Sequence, residues 1–174
     1  MKRMPFIICS ALIATLSSCA STVAVKKSAS TSGQILYTYK EPGLKLEAER
    51  LFLTGCTVSS DESASKGQYV SLNKESNKIE TRIQLKEGKY ELLVKMKARD
   101  TDHSFLTVSI DDKSYSVYPS NPPLGVWELT TRTPLYIQIS EPKIVSLCIQ
   151  ADSKKHSASK NLCIDYIQIV RVEK

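Results

Sequence analysis

The sequence has only two histidines and one tryptophan among its 174 residues, and it lacks the common catalytic motifs. It contains no His-Glu-x-x-His, no nucleophile elbow and no phosphate-binding loop. His103 and His156 stand in the turn-like stretches RDTDHSF and SKKHSAS, without a nucleophile or a second metal ligand at a useful spacing. We therefore expect a protein that is not an enzyme.

Clusters of basic residues with aromatic residues between them are also missing. The lysines of the chain body alternate with acids along strand-like segments, which argues against a nucleic-acid partner. The formal net charge is +6, and it falls to +4 without Lys2 and Arg3. Lys26 and Lys27 are expected to be part of a solvated tether rather than a binding site for lipid headgroups.

The N-terminus has the pattern of an export signal. Lys2 and Arg3 precede an apolar run, Met4 to Leu16, which is too short for a stable membrane span. The following Leu-Ser-Ser-Cys resembles a bacterial lipobox, in which the cysteine is lipidated and becomes the mature N-terminus. This predicts that residues 1–18 are removed and that Cys19 anchors the protein to a membrane of the cell envelope, at the outer membrane or the cell surface. An ordinary secretory signal that is cut nearby is the alternative.

The rest of the chain divides into a tether and one domain. Residues 19–43 are rich in Ser, Thr and Lys and end at a Pro-Gly pair, which predicts a flexible lipid-anchored tether. Residues 44–174 are enough for one domain with a real core.

The domain shows strand periodicity and keeps no helical period for three turns. Apolar residues alternate with polar ones over Ile79–Leu85 and again over Tyr90–Met96, which predicts half-buried antiparallel strands. Further strand-like runs follow, separated by turn clusters such as Asp111-Asp112. This spacing predicts an all-β sandwich of the jelly-roll or immunoglobulin type. The later predicted strands are 104–111, 113–118, 135–140, 144–150 and 162–172.

Three cysteines, Cys56, Cys148 and Cys163, remain besides Cys19 in the mature chain. Export to an oxidising compartment allows one disulfide and leaves one thiol over. Cys148 and Cys163 lie on the last two strand-like runs, and one hypothesis places them opposite each other in a hairpin. The other is that the thiols are free and buried.

Five segments of the domain stand out: LEAERLFLTG (46–55), ASKGQYVSL (64–72), IQLKEGKYELLVKMKA (83–98), FLTVSIDDK (105–113) and NLCIDYIQIV (161–170). In this order they resemble non-catalytic carbohydrate-binding modules of the galactose-binding-like jelly-roll fold, families six and thirty-five and their relatives. That family pattern begins with Glu-Ala-Glu, continues through a small-Gly-Gly-Tyr-Val segment, a Gly-Lys-Tyr strand and an Asp-Gly hairpin, and closes on Asp-Tyr-Ile. The resemblance covers nearly all of residues 44–174 and implies a jelly-roll sandwich.

Three carboxylates form a candidate calcium site. Glu47 and Glu49 are two residues apart on the first strand of the domain, and a jelly roll can bring its first and last strands together, so that Asp165 completes a cluster. Such a cluster needs a cation or a proton, and Ca²⁺ accepts carboxylate oxygens. The resemblance implies a structural calcium held by these same three residues. The alternative is a solvated edge strand, with the glutamates paired to Lys45 and Arg50.

Carbohydrate recognition needs an aromatic face and a few hydrogen-bonding groups. The resemblance implies an end-loop site that takes an aromatic from the region of Trp127 and an asparagine just before Asp-Tyr-Ile. Trp127 is the predicted stacking platform and Asn161 its polar partner, although the family's asparagine usually stands where this chain has Cys163. Tyr118 and Tyr69 are further candidates, and a buried core role is the alternative for Trp127.

The sequence thus predicts a lipid-anchored jelly-roll protein that binds a polysaccharide or glycan without transforming it, with calcium joining its first and last strands. The alternative is a structural envelope lipoprotein that has kept the fold and binds a protein partner instead.

Overall fold

The computed structural model describes residues 34–99, 105–118, 125–151 and 162–173. The predicted signal peptide, Cys19, most of the predicted tether and Asn161 lie outside these residues. Strands make up the described part, together with two single turns of 3₁₀-helix at Ala48–Arg50 and Ser65–Gly67. No helix in these four ranges is long and apolar enough to cross a membrane.

Sheet I is one of two mainly antiparallel sheets. Its strand order is β1-β6-β12-β8-β9, and β3 also pairs with β6. The predicted alternation over 79–85 is confirmed. Ile79, Ile83 and Leu85 are buried, and the polar residues at every second position between them, Glu80, Arg82 and Gln84, are more exposed. The strands are β1 (Leu36–Thr38), β3 (Phe52–Thr54), β6 (Lys78–Leu85), β8 (Leu106–Ile110), β9 (Lys113–Val117) and β12 (Lys143–Ala151).

Sheet II has the order β10-β7-β13-β5-β4, with β11 on β7 and β2 on β13. Its last strand, β13, pairs with three others, β2, β5 and β7. The strands are β2 (Leu44–Glu47), β4 (Thr57–Ser60), β5 (Gln68–Leu72), β7 (Gly88–Lys97), β10 (Glu128–Leu129), β11 (Leu135–Ile139) and β13 (Leu162–Glu173).

One hydrophobic core lies between the two sheets. Sheet I contributes Ile79, Ile83 and Ile149 to this core, and sheet II contributes Tyr90 and Ile167. All five are nearly inaccessible to solvent. Because β6 and β7 belong to different sheets, the chain passes from sheet I to sheet II at the Glu87-Gly88 turn. The predicted all-β jelly-roll sandwich is confirmed.

The sandwich also includes residues that the sequence assigns to the tether. Residues 36–38 form β1, which pairs in parallel with β6. Tyr39 is buried, packs its ring edge against Tyr90 at 5.0 Å and accepts a hydrogen bond from the Arg171 backbone N–H at 3.0 Å. The folded domain therefore includes residues before the predicted boundary at Leu44. The sequence did not indicate this, because the partners that bury Tyr39 are distant in the chain.

The three described cysteines are thiols, with no disulfide between them. Cys148 lies on β12 of sheet I and Cys163 on β13 of sheet II, so the two do not face each other across a hairpin. The hypothesis of a disulfide between them is therefore wrong. Burial raises the pKa of all three thiols, Cys56 included, as expected for unreactive cysteines.

Candidate functional site

Trp127 lies at the surface, directly before β10, and is neither fully exposed nor part of the core. Its indole N–H donates a hydrogen bond to Asp61 Oδ2 at 3.2 Å. The Tyr69 ring packs against the indole with centroids 5.5 Å apart and planes at 62°. The structure thus brings together two of the four residues predicted to bind a ligand, Trp127 and Tyr69, although β10 and β5 are not neighbours in the sheet.

Lys97, the last residue of β7, joins this aromatic pair. Its ammonium group lies 4.6 Å from the Trp127 ring centroid and 5.5 Å from that of Tyr69, within cation–π range. It also forms an ion pair with Asp61. We call these four residues, Asp61, Tyr69, Lys97 and Trp127, the Trp127 surface.

Asp61 is the hydrogen-bonding centre of the Trp127 surface. Its carboxylate accepts hydrogen bonds from Lys97, from the Ser63 hydroxyl at 2.5 Å and from the Ser63 backbone N–H at 2.9 Å. The bond from Lys97 is the main cause that holds the pKa of Asp61 well below its usual range, and the two bonds from Ser63 act in the same direction. Asp61 is therefore ionised at any physiological pH.

Sequence reasoning missed Asp61 and Lys97. Lys97 carries a weak signal, because it continues the polar outer face of β7. Asp61 stands in a short connection between β4 and β5 and belongs to no motif, so its contact with Trp127, 66 residues later, is visible only in three dimensions.

The remaining two predicted ligand residues are not part of this surface as described. Tyr118 follows β9 of sheet I, and its ring packs edge-on against Phe105, with centroids 5.5 Å apart. Its backbone N–H donates to Thr133 Oγ1 at 3.1 Å. Asn161 lies outside the described residues.

Two of the three carboxylates predicted to bind calcium, Glu47 and Asp165, contact Ser65. The Ser65 backbone N–H donates to both oxygens of Asp165, at 2.9 and 3.0 Å, and its hydroxyl donates to Glu47 Oε1 at 3.0 Å. Glu47 is at the end of β2, opposite Tyr166 of β13, and Asp165 sits in an irregularity of β13. The strand that carries Glu47 is thus a neighbour of the closing strand, as expected, but Glu49 was wrongly assigned to that strand, because β2 ends at Glu47 and Glu49 lies in the 3₁₀ turn Ala48–Arg50.

The three carboxylates are largely buried, and the two glutamates have the basic partners of the alternative interpretation: Lys45 Nζ lies 3.2 Å from Glu47 Oε1, and Arg50 Nε lies 3.9 Å from Glu49 Oε1. Asp165 is 1 % exposed, and Glu47 Oε2 and Glu49 Oε2 are buried without a hydrogen-bond partner. Burial is the main cause that raises the pKa of Asp165; the Ser65 N–H opposes it, and the charge of Glu47 adds to it. Among the described residues, no group of three or more His, Cys, Asp or Glu side chains is already gathered as metal ligands.

No family model and no curated protein matches the sequence. Solved structures match at probability 1.00, and they include an isolated family 35 carbohydrate-binding module from Clostridium thermocellum. The match has a TM-score of 0.57 and 12% identity, and it covers 73% of this chain and 96% of the module. The fold is that of a family 35 carbohydrate-binding module.

Two glycoside-processing enzymes share the fold over a part of their length. An exo-β-1,3-galactanase from Phanerochaete chrysosporium matches with a TM-score of 0.56 and 19% identity over 73% of this chain and 29% of its own. The GH26-CBM35 β-(1,4)-mannanase of Podospora anserina matches with a TM-score of 0.58 and 19% identity over 76% and 28%. The chain therefore spans less than a third of these enzymes.

Proposed function

We propose that this protein binds carbohydrate without transforming it, and that the Trp127 surface is its ligand site. The observation that carries the proposal is the placement of Trp127. Its indole is partly exposed, is fixed by Asp61 through the ring nitrogen and is braced by Tyr69. A pyranose ring packs its C–H face on such an aromatic platform.

The charged pair beside the platform supplies the polar half of a sugar site. Lys97 donates and Asp61 accepts hydrogen bonds; Asp61 stands at the edge of the indole, and Lys97 stands over its ring. Lys97 has donors left for hydroxyl groups, since an ammonium has three and one is used on Asp61. The four acceptor positions of Asp61 are taken by Lys97, Trp127 and the two bonds from Ser63, so Asp61 orients the platform. Lys97 lies over one face of the ring, so a sugar would stack on the other.

Because Trp127 is the only tryptophan of the chain, its fluorescence reports directly on this surface. The test is a titration of the full chain with β-1,3-galactan, β-1,4-mannan and cycloisomaltoheptaose. These carbohydrates are chosen because enzymes that share the fold over part of their length are a β-1,3-galactanase, a β-(1,4)-mannanase and a glucanotransferase complexed with cycloisomaltoheptaose. We expect one of them to change the emission, and Trp127→Ala to weaken calorimetrically measured binding by at least about tenfold.

Phe52→Ala is the matched control, because Phe52 is an exposed aromatic residue on sheet I. It should leave the affinity unchanged. Equal affinity of Trp127→Ala and the wild type would remove this surface from the proposal. A wild type that binds no carbohydrate would favour the alternative, a protein-binding envelope lipoprotein, for which the exposed side chains of Leu36, Phe52 and Ile144 on sheet I are a candidate contact.

The absence of catalysis is part of the proposal. The best-placed carboxylate, Asp61, is strongly acidic and held by Lys97, so it is a poor general acid. Release of reducing ends from the bound polysaccharide over a day would contradict this part.

Calcium is proposed as a structural ion at Glu47, Glu49 and Asp165. The support is chemical: Glu47 Oε2 and Glu49 Oε2 are buried without a hydrogen-bond partner, and a hard cation is a usual partner for buried carboxylate oxygens. The Asp165 oxygens each keep a lone pair beyond the bond from Ser65. When bound, the ion would neutralise charge and join β2 to β13. About one equivalent of calcium, measured by mass spectrometry in the purified protein, is the expected result.

We also propose that the protein is anchored in the cell envelope through a lipid on Cys19. The support is the sequence alone, where Lys2, Arg3 and an apolar run precede Leu-Ser-Ser-Cys. Metabolic labelling with palmitate should mark the wild type and not Cys19→Ser. Labelling of both would refute the anchor.

A further inference from the structure

A groove lies apart from the Trp127 surface, beside the part of β7 that pairs with β11. It opens between β9, the last strand of sheet I, and β11, which pairs only with β7 in the described part of sheet II. Its volume is about 420 Å³, within the roughly 300–1,000 Å³ of small-molecule sites. The residues that we call the edge groove are Asp111, Lys113, Tyr115, Tyr136, Gln138 and Lys143.

Two tyrosines frame the edge groove. Tyr136 is 53% exposed, although its position on β11 is fixed by pairing with Glu91 of β7. Its hydroxyl donates to Glu91 Oε1 at 3.5 Å, and Lys89 lies 5.2 Å from its ring centroid. Tyr115 is half-buried and packs against the core. An exposed but positioned ring is what stacking on a sugar needs.

The turn between β8 and β9 is held in place beside these rings. Asp111 adopts a left-handed conformation, with φ of 50°. Its carboxylate accepts hydrogen bonds from the Ser146 N–H and from Lys143 Nζ, both at 2.9 Å. The rim of the groove is therefore fixed before any ligand arrives, which lowers the entropic cost of binding.

The charges of the edge groove cancel. Its lining carries two bases, Lys113 and Lys143, and two acids, Asp111 and the adjoining Asp112, which also lines the groove; Lys143 and Asp111 already form an ion pair. A polyanion gains nothing from such a site, whereas a neutral polyhydroxyl ligand finds donors and acceptors side by side. An extended peptide is disfavoured because lysines at the free edge of a sheet oppose the addition of a strand.

We infer that the edge groove is a second carbohydrate-binding site, for a neutral oligosaccharide. The inference rests on the proposed function for its ligand class but not on the Trp127 surface. Tyr136 pairs with Glu91, six residues before Lys97 on β7, so the two sites are separated by about 20 Å along the strand. Two sites on one chain hold a polysaccharide with avidity and cross-link it.

The experiment uses the full chain, the carbohydrate panel above and three variants: Trp127→Ala, Tyr136→Ala and Tyr136→Phe. Calorimetry should find two sites per chain in the wild type, and one in each alanine variant. Tyr136→Phe keeps the ring and should bind like the wild type. Precipitation of the polysaccharide should occur with the wild type and be lost in both alanine variants, because cross-linking needs two sites.

The outcomes separate the two proposals. If Tyr136→Ala binds and precipitates like the wild type while Trp127→Ala abolishes binding, the edge groove is overturned and the Trp127 surface stands. If Tyr136→Ala abolishes binding and Trp127→Ala has no effect, the groove stands and the Trp127 surface fails. A wild type that binds none of the panel overturns both. Circular dichroism of Tyr136→Ala checks that its exposed side chain is not needed for folding.

Discussion

The indole N–H of Trp127 donates a hydrogen bond to Asp61, and the same carboxylate oxygen pairs with Lys97. A loop acid and a strand lysine thus hold the orientation of the single tryptophan. The arrangement explains why Trp127 stays at the surface instead of collapsing into the core: its polar edge has a charged partner there.

Replacement of Asp61 by Asn should loosen Trp127. We expect a red shift of the tryptophan emission and weaker carbohydrate binding, because Lys97 loses its counter-charge. Since the folded-state pKa of Asp61 is lowered, its contribution to stability is present above the unfolded value of about 3.9 and is lost as the pH falls through the folded value.

The difference in unfolding free energy between wild type and Asp61→Asn should therefore be largest near neutral pH and shrink below about pH 4. Urea denaturation at pH 7, 5 and 3.5 measures it. Glu62→Gln, an exposed neighbour, is the control. A difference that stays constant over this range would show that the ion pair is not formed.

Chelation should destabilise the protein if calcium occupies the carboxylate cluster. At a calcium concentration of about 100 times Kd, the ion stabilises by about 2.7 kcal/mol, which corresponds to about 10 °C in Tm for a domain of this size. Differential scanning fluorimetry with calcium and with EDTA gives the shift. Glu49→Gln should abolish this shift. The substitution replaces the carboxylate of Glu49, whose buried Oε2 has no hydrogen-bond partner, by a neutral amide that attracts the ion less.

Glu75→Gln is the matched control, because Glu75 is exposed in the loop before β6. It should keep the full calcium-dependent shift. An equal Tm with and without EDTA, in protein that contains no metal, would refute the ion and leave a protonated carboxyl as the explanation of the cluster.

Tyr39→Phe should cost about 1–3 kcal/mol of unfolding free energy. The substitution removes the partly buried hydroxyl that accepts the Arg171 N–H at 3.0 Å, and with it that hydrogen bond. Urea denaturation measures the loss. Tyr37→Phe removes only an exposed bond to the Arg50 carbonyl at 3.3 Å and should change stability by less than about 0.5 kcal/mol. Equal losses of unfolding free energy in the two variants would show that the Tyr39 hydroxyl does not stabilise the fold.

Asn77→Ala should be among the most destabilising polar substitutions, with a cost of about 2–4 kcal/mol. Asn77 is 2% exposed; its Oδ1 accepts the N–H groups of Asn73 and Lys74 at 2.8 Å, and its Nδ2 donates to the Gly55 carbonyl at 2.6 Å. Gly55 has φ of 67°, and a Cβ there would meet Asn77 Nδ2 at 2.8 Å.

Gly55→Ala should therefore disturb the same link from its other side. Thermal unfolding of the two single variants and the double variant measures the coupling. Non-additive effects are expected, because both act on one hydrogen bond. Strict additivity would contradict a shared contact.

Most strands were predictable because their cause is local. A half-buried strand needs an apolar residue at every second position, and β6 and β7 carry that pattern in their own residues. The prediction that Glu47 lies near the closing strand relied on the family resemblance, and the pairing of β2 with β13 agrees with it.

The remaining features depend on residues far apart in the chain. Ser65 bridges Glu47 and Asp165 partly through its backbone N–H, a group that every residue but proline has, so no sequence pattern marks it. Tyr39 looks like a tether residue until Arg171 lies beside it. The sheet to which a strand belongs is equally non-local, and this is why the hypothesis of a Cys148–Cys163 hairpin failed.

The pairing of β13 with β2, β5 and β7 has a consequence for how the protein is made. During synthesis, each of these three strands lacks the neighbour on one edge until residues 162–173 have left the ribosome, although β5 can already pair with β4, and β7 with β10 and β11. One edge of each strand is therefore open for much of translation, and contacts so distant in the chain form slowly. A nascent chain that stops before Leu162 should be a substrate for chaperones and proteases.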